Sequence, residues 1–197
     1  MSANSLFTPI VPQECPVAIA LVDASGSVKS PFVNNLSIFN KFRDILKTLP
    51  HKHFYVQFWS SIGALGTQQG TLKIPFKVEK LQMSQPFSVC AATNFGSTFP
   101  HLGFLGIDDW LQSGVNTVYL LTDGDMSDPC SPDFQKVVSN LMTSFPDVQL
   151  HLITVESREV QFENVEDIGC LVGGDVFKIL VKNVAKANSK AKGRRGT

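Results

Sequence analysis

Two predicted strands rich in apolar residues lead into aspartates, and this pattern limits the possible folds more than any other feature of the chain. The continuous apolar run over residues 16–22 stops at Asp23, and the strand predicted over residues 115–121, apolar from Val118 onward, is followed after one threonine by Asp123. Such runs are typical of strands buried on both faces, as in a parallel sheet. The sequence therefore predicts buried strands with polar chemistry at their ends.

Further strands and helices alternate along the chain. Strands are predicted over residues 53–59, 148–155 and 176–181, with an edge strand over 71–78 that carries Pro75. Apolar residues at helical spacing predict helices over 32–49 (with Ser30 as N-cap), 97–112, 132–145 and 160–172. Residues 61–70 predict a glycine-containing turn, and 79–89 stay unassigned. This order indicates an α/β, Rossmann-like fold with a mainly parallel central sheet, one antiparallel edge strand and helices on both faces.

The chain of 197 residues suits one domain. We expect an N-terminal extension over residues 1–15, the domain over 16–181 and a basic, disordered tail over 182–197. The tail holds six basic residues and no acid, which leaves 11 basic against 17 acidic residues, a net charge of −6, in the rest of the chain.

Composition also limits the compartment. No apolar run approaches the roughly 20 residues that span a bilayer, and no positive charge precedes the first run, so neither a transmembrane helix nor a secretory signal is predicted. The spacing of Cys15, Cys90, Cys130 and Cys170 fits neither a zinc site nor a dense disulfide framework. We expect reduced thiols and a cytoplasmic location.

Three oxygen-rich segments lie where predicted strands end or a helix opens: residues 23–27 (DASGS), 91–96 (AATNFG) and 122–128 (TDGDMSD). In open α/β sheets, ligands bind at the carboxyl ends of the strands. We therefore expect the functional site at this edge, with Asp125 and Asp128 as solvated acids of its last loop. His51, His53, His101 and His151 are scattered over different predicted elements, so a histidine metal site is not expected.

At these segments the chain resembles the von Willebrand factor A (VWA) domain. The metal-ion-dependent adhesion site (MIDAS) of that family has Asp-x-Ser-x-Ser, a distant Thr, and the Asp of a Thr-Asp-Gly turn. The matching residues, and hence the implied metal ligands, are Asp23, Ser25, Ser27, Thr93 and Asp123. The resemblance covers residues 16–181. It implies the VWA fold and a protein that binds partners, as intracellular members do within multi-subunit assemblies.

The chain departs from the family pattern in two places. Ala91 and Ala92 stand where the family often has two glycines; they are small enough for close backbone approach but less tolerant of positive φ. Val28 and Lys29 follow the motif, without the acidic pair that integrin β-type domains use for an adjacent calcium. A second metal site is therefore not expected.

The ligand set suits Mg²⁺ or Mn²⁺, because hard divalent cations prefer oxygen ligands. Two aspartates neutralise the ion formally, whereas the three hydroxyls carry no charge. The ion therefore stays electron-poor toward an incoming group. An acidic side chain of a partner protein is the natural sixth ligand, and the resemblance implies the same use.

Other functions remain open at this point. The chain has no nucleophile elbow, phosphate-binding loop or dinucleotide fingerprint, and no His or Glu beside the motif to serve as a general base, so an enzyme is not expected and a metal-dependent hydrolase ranks last. The main alternative is a metal-independent scaffold subunit whose basic tail contacts nucleic acid or an anionic surface.

Overall fold

The computed structural model describes residues 17–29, 31–32, 36–123, 132–155 and 176–179. Its centre is a seven-stranded sheet in which five strands are parallel and two short strands lie antiparallel to one of them. The parallel strands are β1 (Val17–Asp23), β4 (His53–Trp59), β7 (Thr117–Thr122), β8 (Gln149–Val155) and β9 (Val176–Ile179). The antiparallel strands, both paired with β4, are β5 (Thr71–Lys73) and β6 (Val78–Glu79). The predicted mainly parallel α/β sheet is confirmed.

Strand β1 occupies the middle of the sheet, in the order β5-β4-β1-β7-β8-β9. Its side chains alternate between two apolar clusters, with Ala18 and Ala20 in one and Ile19 and Leu21 in the other. From β1 the chain crosses to β4 on one side and later to β7 on the other. The carboxyl ends of β1 and β7 therefore flank a topological switch point, where open α/β sheets bind ligands.

Helices cover both faces of the sheet. On one face, α2 (Ile38–Thr48) and α3 (Ser84–Ala91) contribute to one apolar cluster, and the short α1 (Gly26–Lys29) adds Val28. On the other face, α4 (Asp108–Gln112) and α5 (Pro132–Ser144) contribute to the second cluster. The predicted three-layer arrangement is confirmed.

The helix predicted over residues 32–49 starts later than expected. Residues Pro31–Phe32 (β2) pair antiparallel with Leu36–Ser37 (β3), and α2 begins at Ile38. Ser37, not Ser30, is the N-cap, because its side chain accepts a hydrogen bond of 3.3 Å from the backbone N–H of Asn40. The apolar residues before Ile38 fit a small hairpin as well as a helix, so apolar spacing alone predicted the start of α2 too early. Ser30 itself lies outside the described residues.

The helix predicted over residues 97–112 is also wrong as a single element. A 3₁₀ helix covers Pro100–Phe104, and α4 starts only at Asp108. Between them Gly106 has a φ of 69°, a left-handed conformation that glycine adopts without steric cost and that ends a right-handed helix.

The region predicted as one edge strand over residues 71–78 is divided into β5 and β6 around Pro75, which has no backbone N–H to donate. Strand β5 does lie at one edge of the sheet, as predicted. The unassigned stretch contains a 3₁₀ turn at Lys80–Gln82 and then α3.

The remaining predictions divide into those confirmed and those outside the described residues. Residues 61–70 form turns, and the strands and helix predicted over 115–121, 132–145 and 148–155 are present with ends shifted by at most two residues. The strand predicted over 176–181 is present over Val176–Ile179, and its last two residues lie outside the described residues. The extension over 1–15, the helix over 160–172 and the basic tail over 182–197 lie outside. Within the described ranges no helix is both long and apolar enough to cross a membrane.

Cys90 is a buried free thiol on α3. Burial raises the pKa of this thiol to about 12, so it stays protonated near neutral pH. Cys15, Cys130 and Cys170 lie outside the described residues.

Candidate metal centre

Asp23, the last residue of β1, has no exposed surface and is held from two sides. One carboxylate oxygen, Oδ1, accepts a hydrogen bond of 2.8 Å from the backbone N–H of Ser25. The other, Oδ2, accepts one of 2.8 Å from the hydroxyl of Thr122 at the end of β7. These bonds give the carboxylate one orientation at the junction of the two strands.

Asp123 follows β7 directly and is also buried, with 3% of its surface exposed. Burial, and next the negative charge of Asp123, raise the pKa of Asp23 from its ordinary value of 3.8 to about 7, although the hydrogen bonds from Ser25 and Thr122 act in the opposite direction. A cation bound between the two carboxylates would offset both causes of the shift, because its positive charge stabilises the ionised carboxylates. The donor set therefore fits a hard divalent ion.

The two serines of the motif lie on the β1–α1 connection. Ser25 is buried, whereas Ser27, in α1, is exposed, and their hydroxyl oxygens are 3.1 Å apart. Ser25 therefore lies on the buried side of the candidate site and Ser27 on its solvent side, where a partner molecule could approach.

Thr93 lies just beyond α3 in a loop without regular structure. Its hydroxyl donates a hydrogen bond of 2.7 Å to the carbonyl of Cys90, which leaves the lone pairs of the oxygen able to bind a cation. Three residues later, the Gly96 carbonyl accepts a hydrogen bond of 2.7 Å from the N–H of Gly26, and Gly96 forms a bridge with Ser25. The structure thus brings Asp23, Ser25, Ser27 and Asp123 together and links Thr93 to them through the backbone of Gly96.

The close backbone approach expected at Ala91 and Ala92 occurs instead at Gly96. Both alanines are exposed at the end of α3. A Cβ atom on Gly96 would lie 2.1 Å from the hydroxyl oxygen of Ser61, so only glycine fits there.

Sequence reasoning missed two residues of this edge, Ser60 and Ser61, and it did not assign Thr122 its hydrogen bond to Asp23. Ser60 and Ser61 directly follow β4, at the same edge of the sheet as Asp23. The rule that pointed to Asp23 and Asp123, inspection of the residues after each strand, would have found them. Thr122 has a similar signal, because it is the polar last residue of β7 and follows the run Val118–Leu121.

The other polar candidates lie elsewhere. Asp125 and Asp128 are outside the described residues. His51 and His151, expected to be scattered, instead meet at Tyr119, whose ring centroid is 5.5 Å from that of His51 and 5.1 Å from that of His151. In the part of the chain that the structure describes, no three side chains of His, Cys, Asp or Glu converge to hold a metal, so the candidate centre depends on its hydroxyls as well as its two carboxylates.

No protein-family model matches the chain. The uncharacterized protein L611 of Acanthamoeba polyphaga mimivirus is 27% identical over 188 residues, an alignment that covers 85% of this chain and 20% of the viral protein. The chain therefore spans about a fifth of the length of this relative.

Two crystal structures of the pilus adhesin SpaC from Lactobacillus rhamnosus GG have a similar fold. Their TM-scores are 0.58 and 0.56 at 13% and 12% identity, over 79% of this chain and 27% and 26% of the adhesin. At this identity the likeness shows the α/β fold alone.

Proposed function

We propose that the chain is a VWA-like, divalent-metal-dependent protein interaction module. The observation that carries this proposal is the pair of buried carboxylates, Asp23 and Asp123, held at the switch point of the sheet beside the hydroxyl of Ser25. Two buried like charges are costly unless they have a counter-ion. The ion that fits an all-oxygen set is Mg²⁺ or Mn²⁺.

The ligands in this proposal are Asp23, Ser25, Ser27, Thr93 and Asp123. The bound ion would supply an electron-poor coordination position, and a Glu or Asp of the partner protein would fill it. Lys29 supports an anionic partner, because its ammonium is 4.8 Å from the ring centroid of Phe95, in the loop that carries Thr93. This exposed cation at the end of α1 lies beside the Thr93 loop and would attract a carboxylate from solution.

Binding is proposed rather than catalysis. A metal-bound water that attacks a substrate needs a general base beside it, and the three oxygen-rich segments contain no His or Glu. The basic tail supports the alternative of a scaffold that contacts nucleic acid, but it adds nothing at this edge of the sheet. A cytoplasmic assembly of several subunits is the setting that we propose.

Titration with Mg²⁺ alone tests the metal centre. We expect calorimetry to show one site in the wild type and no binding in Asp23→Ala, which loses a buried carboxylate of the centre. Asp147→Ala, which removes an exposed carboxylate beyond α5, is the matched control and should bind as the wild type does. Unchanged affinity in Asp23→Ala would overturn the metal centre.

Peptide selection tests the partner chemistry separately. Random peptides are captured on the Mg²⁺-loaded protein and released with a chelator. The released pool should be enriched in Asp and Glu relative to the starting library, and Lys29→Ala should reduce capture. A released pool without acidic enrichment would overturn the carboxylate partner and leave the metal centre standing.

A further inference from the structure

The loop that carries Thr93 has no helix or strand of its own between α3 and the 3₁₀ helix. Its position therefore depends on hydrogen bonds to neighbouring loops. One of these bonds joins the carbonyl of Asn94 to the N–H of Leu65, at 2.8 Å. The others converge on Gly96 and Ser97.

Ser60 makes two of these bonds with a single hydroxyl. This residue directly follows β4 and has no exposed surface. Its Oγ accepts a hydrogen bond of 2.9 Å from the N–H of Gly96 and donates one of 3.0 Å to the carbonyl of Ser97. Its own N–H donates to the carbonyl of Gly70 at 2.9 Å, which holds Ser60 at the end of the sheet.

Gly96 links Ser60 to the metal centre. Its N–H is bound to Ser60, and its carbonyl is bound to the N–H of Gly26, the residue between the two serines of the motif. Ser61 adds a further bond, because its Oγ accepts a hydrogen bond of 3.1 Å from the N–H of Ser97. The β4–β5 loop thus sets the distance between the Thr93 loop and the Ser25–Ser27 loop.

We propose that Ser60 is a positioning residue for the metal centre and that it favours Mg²⁺ over Ca²⁺. This inference rests on the proposed metal site. Mg²⁺ requires a nearly octahedral set of oxygens at about 2.0–2.1 Å, whereas Ca²⁺ accepts longer and less regular distances. When the Ser60 hydroxyl fixes the Thr93 loop, the distance from Thr93 to the other ligands stays constant, as Mg²⁺ requires. Without that hydroxyl the distance can vary, which Ca²⁺ tolerates.

The test compares Mg²⁺ and Ca²⁺ affinities in Ser60→Ala by calorimetry. Removal of a group that orients a metal ligand typically weakens binding by about 10–100-fold. We expect a loss of this size for Mg²⁺ and a smaller loss for Ca²⁺, so that the ratio of the two affinities shifts toward Ca²⁺. A purely structural role would weaken both ions equally and would leave the ratio unchanged.

The matched control is Thr67→Val in the same β4–β5 loop. The Thr67 hydroxyl also donates to and accepts from backbone groups, but its partners, the carbonyl and N–H of Thr71 and the carbonyl of Ala64, belong to its own β4–β5 connection and not to the Thr93 loop. This variant should keep the wild-type affinity for both ions. If Ser60→Ala does not fold, Ser61→Ala carries the same test with a smaller shift, because it loses one bond from a half-buried side chain.

The outcomes separate the two proposals. A wild type that binds neither ion overturns the proposed metal centre, and this inference with it. A wild type that binds Mg²⁺, together with a folded Ser60→Ala that has the same affinity ratio, overturns only the role of Ser60. An equal shift of the ratio in Thr67→Val would also overturn it, because the effect would then belong to the loop as a whole.

Discussion

The two ends of the parallel strands both hold titratable groups that are buried or half-buried, but they accommodate these groups differently. Toward the amino ends, the imidazoles of His51 and His151 pack against Tyr119, and burial lowers the pKa of His51, with the charges of His151 and Lys80 adding to the effect. At the carboxyl ends, burial and a neighbouring like charge raise the pKa of Asp23. Both shifts favour the neutral form, the unprotonated imidazole of His51 and the protonated carboxyl of Asp23.

The difference lies in what else each end provides. The neutral imidazole of His51 is accommodated by an edge-to-face contact with the Tyr119 ring and by the hydrogen bond of 3.3 Å between its Nδ1 and the Tyr119 hydroxyl. At the carboxyl end, Asp23 is held in one orientation beside hydroxyl oxygens and a second carboxylate, which are the oxygen ligands that the proposed cation would need. A buried titratable group therefore indicates a candidate binding site only where the surrounding atoms could bind a ligand, as the oxygens around Asp23 could bind a cation.

The largest expected effect is on the metal-free protein. Asp23→Asn should raise the free energy of unfolding at pH 8 by about 2 kcal/mol, because it removes a buried charge next to Asp123 but keeps an acceptor for the Ser25 N–H. The pKa of Asp23 in the folded protein, about 7, exceeds the ordinary value of 3.8, so the ionised wild-type residue destabilises the fold fully above pH 7 and not at all below about pH 4.

Denaturant unfolding of wild type and variant at pH 8 and pH 4, with a chelator present, measures this effect. The stability difference should be large at pH 8 and close to zero at pH 4. Asp147→Asn, at an exposed position, should show no such difference at either pH. A variant less stable than the wild type at pH 8 would mean that the carboxylate stabilises the fold, and the contrast between the two ends would fail.

A smaller effect is expected in the pH dependence of Mg²⁺ binding. The ion competes with the proton on Asp23, so with a pKa of about 7 the affinity should rise roughly tenfold from pH 6 to pH 8 and level off above that. Calorimetry across this range measures the rise. Thr122→Val removes a hydrogen bond that lowers the pKa of Asp23, and its midpoint should move to higher pH. A flat profile would show that Asp23 does not bind the ion.

The sheet was predictable because buried parallel strands leave a local signal, a continuous apolar run such as the one that ends at Asp23. The start of α2 and the break at Gly106 were not, because a cap and a left-handed glycine compete with helical periodicity over only a few residues. Apolar spacing reports which face of a segment is buried, and it does not report where the hydrogen bonding changes.

The sequence predicted the ligand residues of the candidate site, but it did not predict the hydrogen bonds that hold their loops in place. The strand-end rule and the VWA resemblance pointed to Asp23 and Asp123, and the structure brings them together. The bonds from Ser60 to Gly96 and Ser97 join residues about 36 apart in the sequence, so no local pattern contains them. The contact of His51 with Tyr119 was missed for the same reason, since it spans 68 residues.

The smallest expected effect is at the amino half of the sheet. Tyr119→Phe keeps the ring between His51 and His151 but removes the hydroxyl that meets His51 Nδ1 at 3.3 Å. The loss of one partly buried hydrogen bond of this length should lower the free energy of unfolding by about 0.5–1.5 kcal/mol. Mg²⁺ affinity and its pH profile should not change, because Tyr119 lies in the half of β7 farther from Asp123. Denaturant unfolding and calorimetry on the same preparation measure both quantities. A change of metal affinity in Tyr119→Phe would mean that the two ends are coupled through β7, and they could then no longer be treated as independent.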